Sequence, residues 1–111
     1  MATVEECRQA LVDLSSRLAS DPEASAKVNL DRTVSCHIRD LDTHFRARLN
    51  NGAIVDIVDG EDPSAQIKLA MSSDDLLAMV AGDLHFAVAW ASGRVSVKAS
   101  FGDLLKLRKL L

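Results

Sequence analysis

Two neighbouring stretches, Leu76-Leu77-Ala78-Met79-Val80-Ala81 and Leu84 to Ala91, are apolar at almost every position yet carry the punctuation of helices. A helix that lies on one sheet needs a single apolar stripe, not an apolar circumference. The surplus surface has to meet another helix, another chain or a ligand. Neither stretch reaches the ~18 uninterrupted apolar residues that span a bilayer. Ser72 or Ser73 caps the first helix, with Asp74 and Asp75 in its opening turn, where the helix dipole favours anions. Gly82 and Gly93 supply the two stops.

The flanking segments give these helices something to lie on. Thr3 and Glu6 have capping-box spacing, and Val4, Cys7, Leu11, Leu14 and Leu18 follow as one helical stripe. Asp21-Pro22 ends that helix, with a short second turn over Glu23 to Lys27. Val34, Cys36 and Ile38 alternate with polar residues, as do Phe45, Ala47 and Leu49, which is the period of a half-buried strand. Asn51-Gly52 is a hairpin signal, because both residues tolerate positive φ, and Ala53 to Val58 returns as a third strand. Ile67, Leu69 and Met71 mark a fourth strand, and Val95 and Val97 a fifth. Phe101 to Leu111 closes the chain as an amphipathic helix. Strands grouped as hairpins, with helices grouped beside them, predict an α+β fold: a five-stranded, mostly antiparallel or mixed sheet with helices on one face. The 111 residues are expected to form one domain, 1–111.

Composition narrows the chemistry. Apolar residues make up 48% of the chain but aromatics only 4%, so the core is aliphatic. The formal charge of −3 argues against a nucleic-acid partner, which needs a cationic surface. Between Arg94 and Leu111 there are five cations and one anion, a basic end on an acidic body that suits a solvated helix or transient contact with an anionic membrane or a partner. Cys7 and Cys36 sit on apolar stripes as buried thiols, which fits a reducing, cytoplasmic setting. Glu5, Glu6 and Arg8 interrupt any amino-terminal signal pattern.

His37, His44 and His85 form no metal-spaced motif, and the five glycines form no phosphate loop. His37 and His44 fall at polar strand positions and read as surface residues; His85 reads as a loop or helix-start residue that can also line a pocket. No nucleophile elbow occurs. The expectation is a protein that is not an enzyme, with no cofactor and no metal.

The segments Gly82-Asp83-Leu84, Ala89-Trp90-Ala91-Ser92-Gly93-Arg94-Val95-Ser96-Val97-Lys98 and Leu104-Leu105-Lys106-Leu107 follow one another in an order that resembles the sterol carrier protein 2 family of lipid-binding domains. Phe45 to Gly52 resembles the family's hairpin, and Ala65 to Leu76 its strand-to-helix junction. The likeness covers about residues 28–111. Ala99-Ser100 stands where many members carry Gly-Asn, and Lys109-Leu110-Leu111 is a poor version of a peroxisomal tripeptide. The resemblance implies an apolar cavity between sheet and helices that takes a sterol, fatty acid, fatty acyl-CoA or phospholipid. Similar domains also occur at the ends of larger enzymes.

The residues expected to line such a cavity are Met71, Leu76, Met79, Val80, Leu84, Phe86 and Trp90, joined by Phe101, Leu104, Leu107 and Leu111 from the last helix. Lys106, Arg108 and Lys109 are candidates to pair with a ligand's anionic head. The function expected is a lipid-binding or carrier protein. The alternatives are an interaction module that uses its apolar helices for association, an accessory domain presenting apolar substrate to a partner enzyme, or an enzyme on an oily substrate with His85 as base.

Overall fold

The computed structural model describes residues 2–20, 31–50 and 53–108, without the side chains of residues 18, 19, 87 and 106–108. The turn expected over Glu23 to Lys27, the Asn51-Gly52 hairpin tip and the last three residues lie outside the described residues.

Helix α1 spans Val4–Ser20. Its start is the capping box read from Thr3 and Glu6: the Thr3 N–H donates to the Glu6 carboxylate (3.1 Å), and the Glu6 N–H donates to the Thr3 hydroxyl (3.2 Å). Four strands follow that segment of the fold, β1 Arg32–Ile38, β2 Thr43–Asn50, β3 Ala53–Asp59 and β4 Ile67–Met71. Helix α2, Ser73–Ala81, opens on Ser72, whose hydroxyl accepts the Asp75 N–H at 3.1 Å. It ends at Gly82, which takes φ 86°, a left-handed conformation that suits glycine. Helix α3 is short, Phe86–Ala91, so Leu84 and His85 belong to the connection rather than to the helix expected from Leu84 onward. Strand β5 is Ser96–Lys98, and helix α4 is Phe101–Arg108.

The sheet order is β3-β2-β1-β4-β5. β1 and β4 are parallel and the other neighbours antiparallel, so the sheet is mixed. The alternation read from sequence has a physical outcome: Cys36, Ile38, Phe45 and Met71 pack with Cys7 and Ala10 of α1, Leu76 and Val80 of α2, and Ala89 of α3. These three helices therefore cover one face. At the far end, Leu49 and Ile67 form a second cluster with Trp90, Val34 and Val97.

One irregularity shapes that face. A bulge in the β2–β3 pairing leaves two β3 residues, Asp56 and Ile57, opposite Ala47, and Asp56 takes φ 56°. In a regular strand Ile54 and Ile57, three apart, would point to opposite faces; the extra residue turns both toward the helices.

Polar contacts pin the layers together. Ser73 is fully buried, and both its N–H (2.8 Å) and its hydroxyl donate to the Asp40 carboxylate. The Ala2 N–H donates to the Ser73 hydroxyl (3.2 Å), so one serine joins the chain start, α2 and the β1–β2 turn. Arg32 at the start of β1 donates to Asp103 in the first turn of α4 (2.9 Å).

Three exposed carboxylates are held below the usual range: Asp40 by the Ser73 hydroxyl and N–H, Asp31 by the Arg48 guanidinium, and Asp59 by Arg8. A carboxylate depressed in the folded state stabilises the fold above its unfolded pKa, about 3.9 for Asp, and loses that contribution as pH falls through the folded value. The melting temperature is thus expected to be insensitive to these groups near neutrality and to drop in acid. Asp40→Asn should be less stable at neutral pH and show a shallower acid drop. An unchanged acid slope in that variant, followed by circular dichroism melts, would count against the role given to Asp40.

Candidate functional site

Between the covered face of the sheet and the helices lies a pocket of about 410 Å³. Its floor is the strand residues that alternation sends inward: Val34 and Cys36 of β1, Phe45, Ala47 and Leu49 of β2, and Ile67, Leu69 and Met71 of β4. The β3 bulge adds Ile54 and Ile57. Leu11 and Leu14 of α1 form one wall. Leu76 and Met79 of α2 and the connection through Leu84, His85 and Phe86 form the other. The lining is overwhelmingly aliphatic, which is what a site for an apolar molecule needs.

Polar groups are few. Arg46 and exposed His85 belong to the lining, but alternation with Phe45 and Ala47 sends the Arg46 side chain to the opposite face of the sheet, which leaves His85 as the polar side chain at the rim. His85 sits at the N-cap of α3 without making a side-chain cap bond, so its ring is available to a ligand at the rim. The Cys36 thiol forms part of the wall, and burial, with a smaller contribution from Cys7, pushes it up to about 12. Burial also raises Cys7, with Asp40, Glu6 and Asp74 adding to the effect. Both thiols stay protonated at neutral pH and are poor nucleophiles there. Among the described residues, no group of three or more His, Cys, Asp or Glu side chains is placed to hold a metal ion.

The structure sorts the residues read from sequence into distinct places. Met71, Leu76, Met79, Leu84 and Phe86 come together on the pocket. Val80 packs in the core instead, and its carbonyl accepts from Arg17. Trp90 packs against Leu49 and Ile67 and touches Phe86 ring to ring, with centroids 5.6 Å apart. Phe101, 77% exposed, lies at the start of α4 off the lining, and half-buried Leu104 is off it too. The side chain of Leu107 and all of Leu111 lie outside the described residues, as do the side chains of Lys106 and Arg108 and all of Lys109. The α1 and sheet residues of the lining were legible only as core, because their spacing is the same whether they touch a neighbour or a space.

A family model described as alkyl sulfatase C-terminal matches residues 7–111. The chain belongs to the alkyl sulfatase C-terminal family. Members of that family share a fold with sterol carrier protein 2 domains, and the solved structures similar to this chain are of both kinds. The stereoselective inverting sec-alkylsulfatase Pisa1 from Pseudomonas sp. is 23% identical, with a TM-score of 0.61 over 88% of this chain and 15% of that one. The chain thus spans only a small part of the sec-alkylsulfatase it matches. The sterol carrier protein domain 2 of Helicoverpa armigera is 16% identical, with a TM-score of 0.71 over 98% of this chain and 89% of that one. Palmitated SCP2L2 from Aedes aegypti is 15% identical, with a TM-score of 0.66 over 98% of this chain and 94% of that one. No curated protein matches the chain in sequence. The sequence resemblance to sterol carrier protein 2 domains therefore holds for the fold, while the family match is to the domain found at the carboxyl end of alkyl sulfatases. Among the described residues, no helix is long and apolar enough to cross a membrane.

Proposed function

We propose that this alkyl sulfatase C-terminal family chain, acting as one unit over residues 1–111, holds an elongated apolar ligand in the pocket between its sheet and helices. The observation that carries the reading is the aliphatic lining of a space of about 410 Å³, within the range of small-molecule sites. Each methylene moved from water to such a wall contributes about 0.8 kcal/mol, so a long alkyl or acyl chain binds without a charged anchor. In this reading its head lies at the rim, beside exposed His85. A palmitated relative of the same fold supports an acyl chain as the ligand.

The family match favours one of the alternatives in particular. In that reading the pocket presents an alkyl chain to a partner enzyme, which the family's description as the carboxyl-terminal domain of alkyl sulfatases supports. Carrier and accessory roles need the same pocket, and both depend on its binding an alkyl chain.

The test is a titration of the delipidated protein with a fluorescent fatty-acid analogue, followed by displacement with oleate, oleoyl-CoA, dodecyl sulfate and cholesterol. Saturable binding at micromolar level, displaced by the linear chains, is expected. Preferential displacement by dodecyl sulfate would favour the accessory role. Absence of saturable binding to a folded protein would turn the assignment toward an interaction module.

A further inference from the structure

The opposite face of the sheet holds a second depression, of about 340 Å³, that the lipid pocket does not use. The strand registers show how it is built. Arg46, Ser35, Lys68 and Lys98 form one row across β2, β1, β4 and β5. His44, His37, Ala70 and Ser96 form the next. Three small residues, Ser35, Ala70 and Ser96, leave the floor low. The two imidazoles rise beside it as a stacked pair, with centroids 4.3 Å apart and planes within 4°. Arg39, Lys68 and Lys98 bring positive charge to the rim.

Two features of this arrangement call for an anion. Lys68 and Lys98 are direct cross-strand partners, and like charges facing each other across a sheet are destabilising. Among the described residues Arg39, Lys68 and Lys98 make no ion pair, whereas Arg8, Arg32, Arg48 and Arg94 are each paired with a carboxylate. Independently, Ser35 is only 6% exposed, and its hydroxyl makes no hydrogen bond among the described residues. No buried side-chain polar atom lacks a partner among the described residues, so this hydroxyl reaches the open space of the depression, whose floor Ser35 helps to form. The loop carboxylates Glu61 and Asp62 also border the site and offset part of its charge, Asp62 while accepting from the Ser64 N–H (3.2 Å) and hydroxyl (2.9 Å), but Arg39, Lys68 and Lys98 outnumber them.

We propose that this depression binds a phosphate group, with Lys68, Lys98 and Arg39 supplying the charge and the Ser35 hydroxyl a hydrogen bond from the floor. Phosphate suits the site because several acceptor oxygens can take ammonium, guanidinium and hydroxyl donors at once. The group can come from a soluble phosphate or from a phospholipid head, and the chemistry at the sheet is the same.

The experiment uses the full chain. Inorganic phosphate is titrated calorimetrically, and phosphatidylcholine vesicles with and without phosphatidic acid are tested by flotation. The wild-type protein is expected to bind one of the two probes saturably, and Lys68→Gln with Lys98→Gln to weaken that binding at least about tenfold. Binding of inorganic phosphate identifies a soluble source; binding only to the phosphatidic acid vesicles identifies a lipid head. Both lysines are exposed, so the double variant is expected to melt no lower than the wild type. If it does not fold, Arg39→Gln makes the same comparison. Binding of neither probe, or affinity unchanged in the folded variant, overturns the assignment. Ala47→Trp, which fills the lipid pocket, should leave phosphate binding unaltered and so separates the two sites.

Discussion

Ala47→Trp is expected to weaken binding of a fluorescent fatty-acid analogue by at least about 100-fold while leaving the protein folded. Ala47 is the small residue on the pocket side of β2, between Phe45 and Leu49. An indole at that position occupies space an alkyl chain would otherwise fill. Displacing about four methylenes, at about 0.8 kcal/mol each, removes about 3 kcal/mol of binding free energy, and about 1.4 kcal/mol corresponds to tenfold. Because the new ring enters an existing apolar space, the melting temperature should hold or rise; a marked fall would mean that the space is too small and the core is overpacked. Titration and thermal melting of the same sample separate these results. Unchanged affinity in a folded variant would place the ligand elsewhere.

Phe45→Ala is expected to cost about 3–5 kcal/mol of folding stability, a large share of the roughly 5–15 kcal/mol available to a domain of this kind. Phe45 is 1% exposed and packs into the main core cluster. Arg8 of α1 lies over its ring, 5.9 Å from the centroid, so the ring also seats α1 on the sheet. Truncation leaves a hole next to an existing pocket, where little can collapse to fill it. Urea denaturation measures the loss, and Phe45→Leu should lose markedly less. A cost below about 1 kcal/mol for Phe45→Ala would contradict the packing described for this ring.

The expectations that held did so because the forces involved act over a few residues. Thr3 and Glu6 announce the start of α1 because each satisfies the other's backbone N–H, whatever lies nearby. Gly82 announces the end of α2 because few residues other than glycine take its φ at little cost. Val34, Cys36, Ile38, Phe45 and Leu49 could be assigned to one face because side chains alternate along a strand. His37 and His44 were legible as polar strand positions, but their stacking across β1 and β2 was not, since it follows from the pairing register.

The pocket was only partly legible. The apolar circumference of the middle helices pointed to Leu76, Met79, Leu84 and Phe86. It equally suggested Val80 and Trp90, which pack against other side chains. The last helix carried the wrong weight: Phe101 has the character of a lining residue and faces solvent. Leu11, Leu14 and Ile57 gave no sign of their place on the lining, Ile57 because the bulge at Asp56 breaks the period on which such a reading depends.

Helix starts and stops, the strand residues that turn inward, and an excess of apolar surface in the middle of the chain can all be read from the order of residues. These follow from local hydrogen bonding and side-chain periodicity. The parallel pairing of β1 with β4, the place of α1 as a pocket wall, and the facing of Lys68 and Lys98 on the opposite side of the sheet emerge in the folded chain alone. Packing and register join residues far apart in the chain, and an apolar side chain has the same sequence signature whether it meets a neighbour or borders a space.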